Sequence, residues 1–385
     1  MIFYGKQNIN ESDIRAVEEV LRSNFLTQGP VIERFEERVA EYCGVKHAVA
    51  VTNATSALHI ACLAAGLGPG DILWTSPITF VASANCGRYC GTDVDFVDID
   101  DRTYNMSVTA LEEKLRCAKV SGRLPKIVVP VHMAGQSCDM KRIRELSMEY
   151  GFIVLEDASH AVGAEYRGKK VGSCEFSDMA VFSFHPVKII TTGEGGMVLT
   201  NDVTLYEKLR LYRNHGITRD VSRMTHESDG SWYYQQIELG FNYRMTDIQA
   251  ALGYSQMQRL DVFVKRRRKL AARYNELLKD LPLITPYVIP EAIPSWHIYV
   301  VRIDFGRVGK KKQEIFDEMK AKGIVLNLHY IPVHTQPYYE RLGHRPEECP
   351  VALKYYHGAM TLPLYYGLTD EEQDAIVGEL KKVLQ

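Results

Sequence analysis

The chain has 385 residues, too many for one small core and suited to two domains. Hydrophobic residues make up 46% and charged residues 24%, and the net charge of -2 gives no global pull toward nucleic acid or an acidic membrane. No window holds the roughly 18 uninterrupted apolar residues of a membrane span, and MIFYGKQNINESD lacks the apolar core of a secretion signal, so a cytoplasmic protein is expected.

From the N-terminus, residues 11–24 place Ile14, Val17 and Leu21 on one helical face. A strand-like HAVAVT (47–52) precedes a helix-like ATSALHIACLAAGL. Further strand-like runs are ILWTS (72–76), VDFVDI (94–99), KIVVPVH (126–132), FIVLED (152–157), MAVFSF (179–184) and GMVLT (196–200). Alternation with helical patterns argues an α/β fold around a mostly parallel sheet. From Thr246 to about Lys279 the pattern reads as one long helix carrying the run Lys265, Arg266, Arg267, Arg268 and Lys269, which reads as a solvated face. WHIYVVRID, a helix near 310–322, IVLNLHY and a helix at 370–384 follow. The expected division is a large domain at 1–250 and a smaller α+β domain at 251–385. The eight cysteines include no CxxC pair, and Cys86 with Cys90 has no second cluster to complete a zinc site. No metal is expected, and free thiols of a reducing compartment account for them.

Four local features carry chemistry. FIVLEDASH ends an apolar run in Glu156, Asp157 and His160, and ligands of parallel α/β sheets collect outside the carboxyl ends of the strands. Asp157 can face a ligand there, or simply cap a turn. In SFHPVKIITTGEGG, Lys188 is hemmed in by Phe184, Val187, Ile189 and Ile190. Burial lowers a lysine pKa and leaves the neutral amine that carbonyl condensation requires; a snorkelling surface lysine is the alternative. NATSALH opens a helix with small residues, leaving backbone N–H groups free for an anion or for an ordinary cap. TTGEGG (191–196) matches neither nucleotide-loop pattern, and its glycines read as room for backbone to pass beside the lysine. An amine, an acid for a ring nitrogen and an anion cradle are the three handles of pyridoxal 5′-phosphate.

With LTQGPVIERFEE (26–37), TSPITFVASAN (75–85), EDASHAVGA (156–164), RNHG (213–216) and GFNYRMTDIQAALG (240–253) added, the sequence resembles the DegT-type nucleotide-sugar aminotransferases over essentially its full length. The resemblance implies a fold type I pyridoxal-phosphate enzyme with Lys188 as Schiff-base lysine and proton shuttle, and Asp157 paired with the pyridine nitrogen. It implies His160 near the phenolic oxygen, Phe80 stacked on the ring, and Ala54, Thr55 and Ser183 on the phosphate. Asn242 would reach that phosphate from the neighbouring subunit of a homodimer.

Within the family, GDILWTSPITFVASANC (70–86), SFHPVK and LHYIPVHTQPYY (328–339) resemble the enzymes that aminate C4 of a UDP-linked 4-keto-6-deoxy-N-acetylhexosamine in the pseudaminic acid pathway. Glutamate is the implied amino donor. Tyr4, the loop Asn24, Phe25, Leu26 and Thr27, and His329 with Tyr330 are the implied substrate contacts. The nearest rival is a sister aminotransferase for another keto-sugar, a UDP-D-sugar at C4 or a dTDP-sugar at C3. A sugar dehydratase of the same family would carry His in place of Lys188. A non-catalytic regulatory relative would be expected to lose Lys188 or Asp157, and both are present.

Overall fold

The computed structural model describes residues 1–384. The seven strand-like runs form β1 (His47–Val51), β2 (Ile72–Thr75), β3 (Asp93–Phe96), β4 (Ile127–Val129), β5 (Ile153–Asp157), β6 (Met179–Ser183) and β7 (Gly196–Thr200). They make one sheet in the order β1-β7-β6-β5-β4-β2-β3. Only β7 runs against its neighbours, so the sheet is mostly parallel. KIVVPVH stops at Val129 because Pro130 has no N–H for the ladder. Alternate residues feed opposite faces, as a pleated strand requires: Val49 and Val51 join one core, Ala48 and Ala50 the other.

Helices α1 (Glu11–Leu21), α2 (Pro30–Cys43), α3 (Ala54–Ala64), α4 (Ala82–Tyr89), α5 (Val108–Ser121), α6 (Met140–Tyr150), α7 (Val203–Arg213), α8 (Asp247–Met257) and α9 (Leu260–Leu278) surround the sheet. α3, α4 and α7 lie on one face; α2, α5, α6, α8 and the first turns of α9 lie on the other. The later turns of α9 pack with α10 (Lys312–Ala321), α11 (Asp370–Leu384) and a three-stranded antiparallel sheet. That sheet runs β8 (Leu283–Ile284), β9 (Tyr299–Ile303) and β10 (Ala359–Leu362).

Helix α1 forms within the span 11–24, with Ile14 and Leu21 exposed, and it docks through Asp13, which accepts bonds from Ser255, Gln256 and Arg259. Two expectations are corrected. The single helix from Thr246 is two helices, broken at Gln258 and Arg259. Arg259, tied to Asn8 and Asp13, holds this corner by tertiary contacts that no local breaker announces. Nor is the basic run wholly a solvated face: Lys265 and Lys269 are exposed and Arg266 and Arg268 half-buried, but Arg267 turns inward. Arg267 is 1% exposed, and its Nη1 donates to the carbonyls of Trp296, His297 and Leu364 at 3.2, 3.0 and 2.9 Å. Burial brings this guanidinium down to about 10, and the three carbonyl dipoles take the place of a counter-ion.

Candidate active site

The carboxyl ends of β1, β2, β5 and β6 open into a cleft of about 930 Å³. β7, running the other way, begins at the same edge, with Gly196 opposite both Val51 and Ser183. The connection from β6 to β7 is pinned at its base by Phe184 N–H to the Gly195 carbonyl (2.9 Å) and Thr192 N–H to the Phe184 carbonyl (3.0 Å). Ile189 and Ile190 anchor its middle in the core. Lys188, half-buried between these anchors, is turned toward the cleft. Burial lowers its ammonium to about 8, against the opposing charge of Asp157.

Asp157 is the last residue of β5 and is buried. Its Oδ2 accepts from Ser83 Oγ at 2.5 Å and its Oδ1 from Ser159 N–H at 3.1 Å. Ser83, on the first turn of α4, also shares a 2.7 Å hydrogen bond with Thr79. Behind the strand, Glu156 faces the opposite way into a buried pair with His132 (2.6 Å) and accepts from Ser177 (2.5 Å). Burial works against charge on His132, but its bonds to Cys138 and Glu156 raise it to about 10.

At the end of β1, Asn53 caps α3, accepting from Ser56 N–H at 2.8 Å. Ala54 and Thr55 fill the first turn, whose N–H groups have no carbonyl within the helix to reach. A Cβ on Gly196 would stand 2.4–2.6 Å from the backbone of Asn53 and Ala54, so only glycine lets β7 pass this cradle. Ser183 borders the same corner. Phe80, 60% exposed, presents its ring at the mouth of the cleft.

The opposite wall comes from distant sequence. His160 Nε2 shares a 3.0 Å hydrogen bond with the Tyr330 hydroxyl, while its buried Nδ1 has no partner. Burial first, then Lys188 and His329, hold His160 well below the usual histidine range. His329 Nδ1 meets Thr361 Oγ1 at 2.9 Å, and burial with Lys188 takes this ring down to about 3. Tyr4, fixed by a 3.0 Å bond from Leu364 N–H to its carbonyl, packs 5.2 Å from His329.

The remaining candidates lie elsewhere. Asn242 is exposed and paired with Asn214 in an isolated bridge, outside the lining of this chain's cleft. Asn24 to Thr27 also lie outside it, with Phe25 and Leu26 about half exposed. His297, absent from the sequence reading, does line the cleft. It is buried 4.4 Å from the His160 ring. Within WHIYVVRID it looks like any strand-flanking residue, and no local signal marks it. Ser83 was within reach, three positions after Phe80 on a helix opening beside a strand end.

These residues fit pyridoxal phosphate: free first-turn N–H groups for its phosphate, a buried carboxylate with two donors and room for a ring N–H, and an orphan His160 nitrogen. The profile of the DegT/DnrJ/EryC1/StrS aminotransferases matches residues 7–381. The chain belongs to that family. It is a pyridoxal-phosphate-dependent nucleotide-sugar aminotransferase of the fold type I architecture, and a structural neighbour is described in its PLP-form. The UDP-4-amino-4,6-dideoxy-N-acetyl-beta-L-altrosamine transaminase of Campylobacter jejuni is 39% identical over 343 residues, 89% of this chain and 87% of that one. The GDP-perosamine synthase of Caulobacter vibrioides is also 39% identical, over 358 residues, 92% and 91% of the two chains. The structure of Helicobacter pylori PseC, an aminotransferase involved in the biosynthesis of pseudoaminic acid, superposes with a TM-score of 0.90 at 32% identity. That match covers 100% of this aminotransferase and 99% of PseC.

Proposed function

We propose that this aminotransferase moves an amino group from glutamate to C4 of a UDP-linked 4-keto-6-deoxy-N-acetylhexosamine in the cytoplasm. Residues 1–250 would hold the cofactor and residues 251–385 would complete the sugar wall. The observation that carries the reading is Lys188 facing Asp157 in the cleft, its ammonium lowered to about 8 by burial. The similarity to the altrosamine transaminase and to PseC supports the choice of sugar.

Bound in this cleft, pyridoxal phosphate supplies a carbonyl for the amino group and a ring that draws electron density from the reacting carbon. The protein supplies position and protons. Ala54, Thr55 and Ser183 hold the phosphate, and Asn242 reaches it from the other subunit of a homodimer. Phe80 covers one ring face, and Asp157, oriented by Ser83, keeps the ring nitrogen protonated. Lys188 Nζ, neutral above about pH 8, takes the proton from the donor's α-carbon and in the second half-reaction returns one to C4 of the sugar. His160 holds the phenolic oxygen. Tyr4, His329, Tyr330 and the loop 24–27 contact the sugar nucleotide.

A second reading, amination of a GDP-linked keto-sugar, is favoured by the equal identity to the perosamine synthase. The loaded enzyme, given glutamate and a panel of UDP-, GDP- and dTDP-linked keto-sugars, decides between them. The 4-amino UDP-sugar should be the best-made product by kcat/KM; preferential turnover of the GDP sugar replaces the first reading with the second, and turnover of neither removes both.

A further inference from the structure

The short segment Ser295–His297 grips His160 at two points. Ser295 Oγ donates to the His160 carbonyl at 3.2 Å, and the His297 ring packs on the His160 ring with centroids 4.4 Å apart and planes tilted by 51°. The segment is itself immobilised. Ser295 N–H donates to the Gly135 carbonyl (3.1 Å), His297 N–H to the Ala134 carbonyl (2.9 Å), and Arg267 grips the His297 carbonyl from α9. Gly135, at φ +93°, lies where the three strands of chain converge: a Cβ there would stand 2.7 Å from Ser295 Oγ and 2.8 Å from the His160 carbonyl oxygen. Both imidazoles are buried, both line the cleft, and the Nδ1 of each has no partner.

We propose that His297 is a positioning residue for the transamination, its ring fixing the imidazole of His160 so that one nitrogen stays on the Tyr330 hydroxyl and the other is presented to the cofactor. The assignment rests on the aminotransferase reading of the cleft. The groups that face this pair are Lys188, His329 and Arg267, with the Tyr330 hydroxyl on Nε2 and Asp157 acting on Tyr330 from across the cleft. Burial first, then the charge of Lys188 and, at His297, that of Arg267 oppose a positive charge here, so both rings stay neutral. A neutral imidazole has one donor and one acceptor, and which nitrogen donates is set by its partners. A ring free to rotate would lose that assignment.

The test uses histidine-selective ¹³C/¹⁵N labelling of the cofactor-free full chain, followed by kinetics of the loaded enzyme. In wild type and in His297→Phe, which keeps a packed ring, the His160 resonances should not titrate between about pH 5 and 8. In His297→Ala, water reaches the ring and the His160 midpoint should rise by about one unit or more. With cofactor and substrates, His297→Ala should lower kcat about 10-fold with KM little changed, and should cost nothing further in a His160→Gln background. A His297→Ala chain whose His160 behaves as wild type, a Phe variant that behaves as Ala, or losses that multiply in the double variant each overturn the proposal. If no nucleotide sugar is aminated, the functional reading falls alone, because the resonance measurement needs neither cofactor nor substrate.

Discussion

On one wall of the cleft, Asp157, Ser183 and the Ala54–Thr55 turn each sit at or within a few residues of a strand end, with Lys188 a short loop further on. On the other wall, His297, His329, Tyr330 and Tyr4 come from segments scattered over the chain and are held by Arg267, Thr361, His160 and the Leu364 N–H respectively. The first wall is placed by the sheet: hydrogen-bonded neighbours fix where a strand ends, and the next residue follows. The second is placed by packing between parts that meet only in the folded molecule. In the proposed function the first wall carries most of the cofactor contacts, and the second, assembled from loops, carries the sugar contacts Tyr4, His329 and Tyr330, with His160 and His297 acting on the cofactor side.

If this contrast is right, changes on the first wall should strike kcat and changes at the proposed sugar contacts of the second, Tyr4 and His329, should strike KM, while His297, which acts through His160, follows the first wall. Lys188→Ala should be the largest, lowering turnover by about 10⁴-fold, with loss of covalent phosphopyridoxyl labelling on borohydride treatment. Normal turnover would reassign the lysine. Asp157→Asn keeps the shape that Ser83 binds and should retain the cofactor while kcat falls about 100-fold; an unchanged rate would break the pairing with the ring nitrogen. His329→Gln should raise KM for the keto-sugar about 10-fold and leave kcat within a factor of three or so, a split visible in initial-rate kinetics. A fall in kcat alone would move His329 to the chemical wall.

Two smaller effects sharpen the picture. Uptake of pyridoxal phosphate by the apoenzyme, followed by the growth of its visible band, should accelerate with pH and level off above about 8. The sign follows from burial: it favours the neutral amine, so the reactive form becomes dominant well below the usual lysine value near 10.4. A plateau only near 10 would mean the lysine is solvated. Ser83→Ala removes one donor from the buried Asp157 carboxylate and should cost about 1.5–3 kcal/mol of stability, read by denaturant unfolding.

The same contrast accounts for what could be read from the sequence. The seven strands were legible because apolar β-branched runs stand between glycines, prolines and acidic residues, and the residues that follow them were legible with them. The gathering of Phe80, Asp157, Ser183 and Lys188 into one cleft follows from that. The corner at Arg259 and the burial of Arg267 were not legible, since each depends on partners far away in sequence: Asn8 and Asp13 for one, three backbone carbonyls for the other. His297 escaped for the same reason.

Arg267 also sets a condition on redesign. Its single Nη1 joins α9 to two separate segments, 296–297 and 364, the first of which carries the cleft-lining His297. A graft that shifts the backbone path of either segment would take carbonyl partners away from a buried guanidinium. Helix and both segments form one exchangeable cassette, and a chimera should cut outside all three.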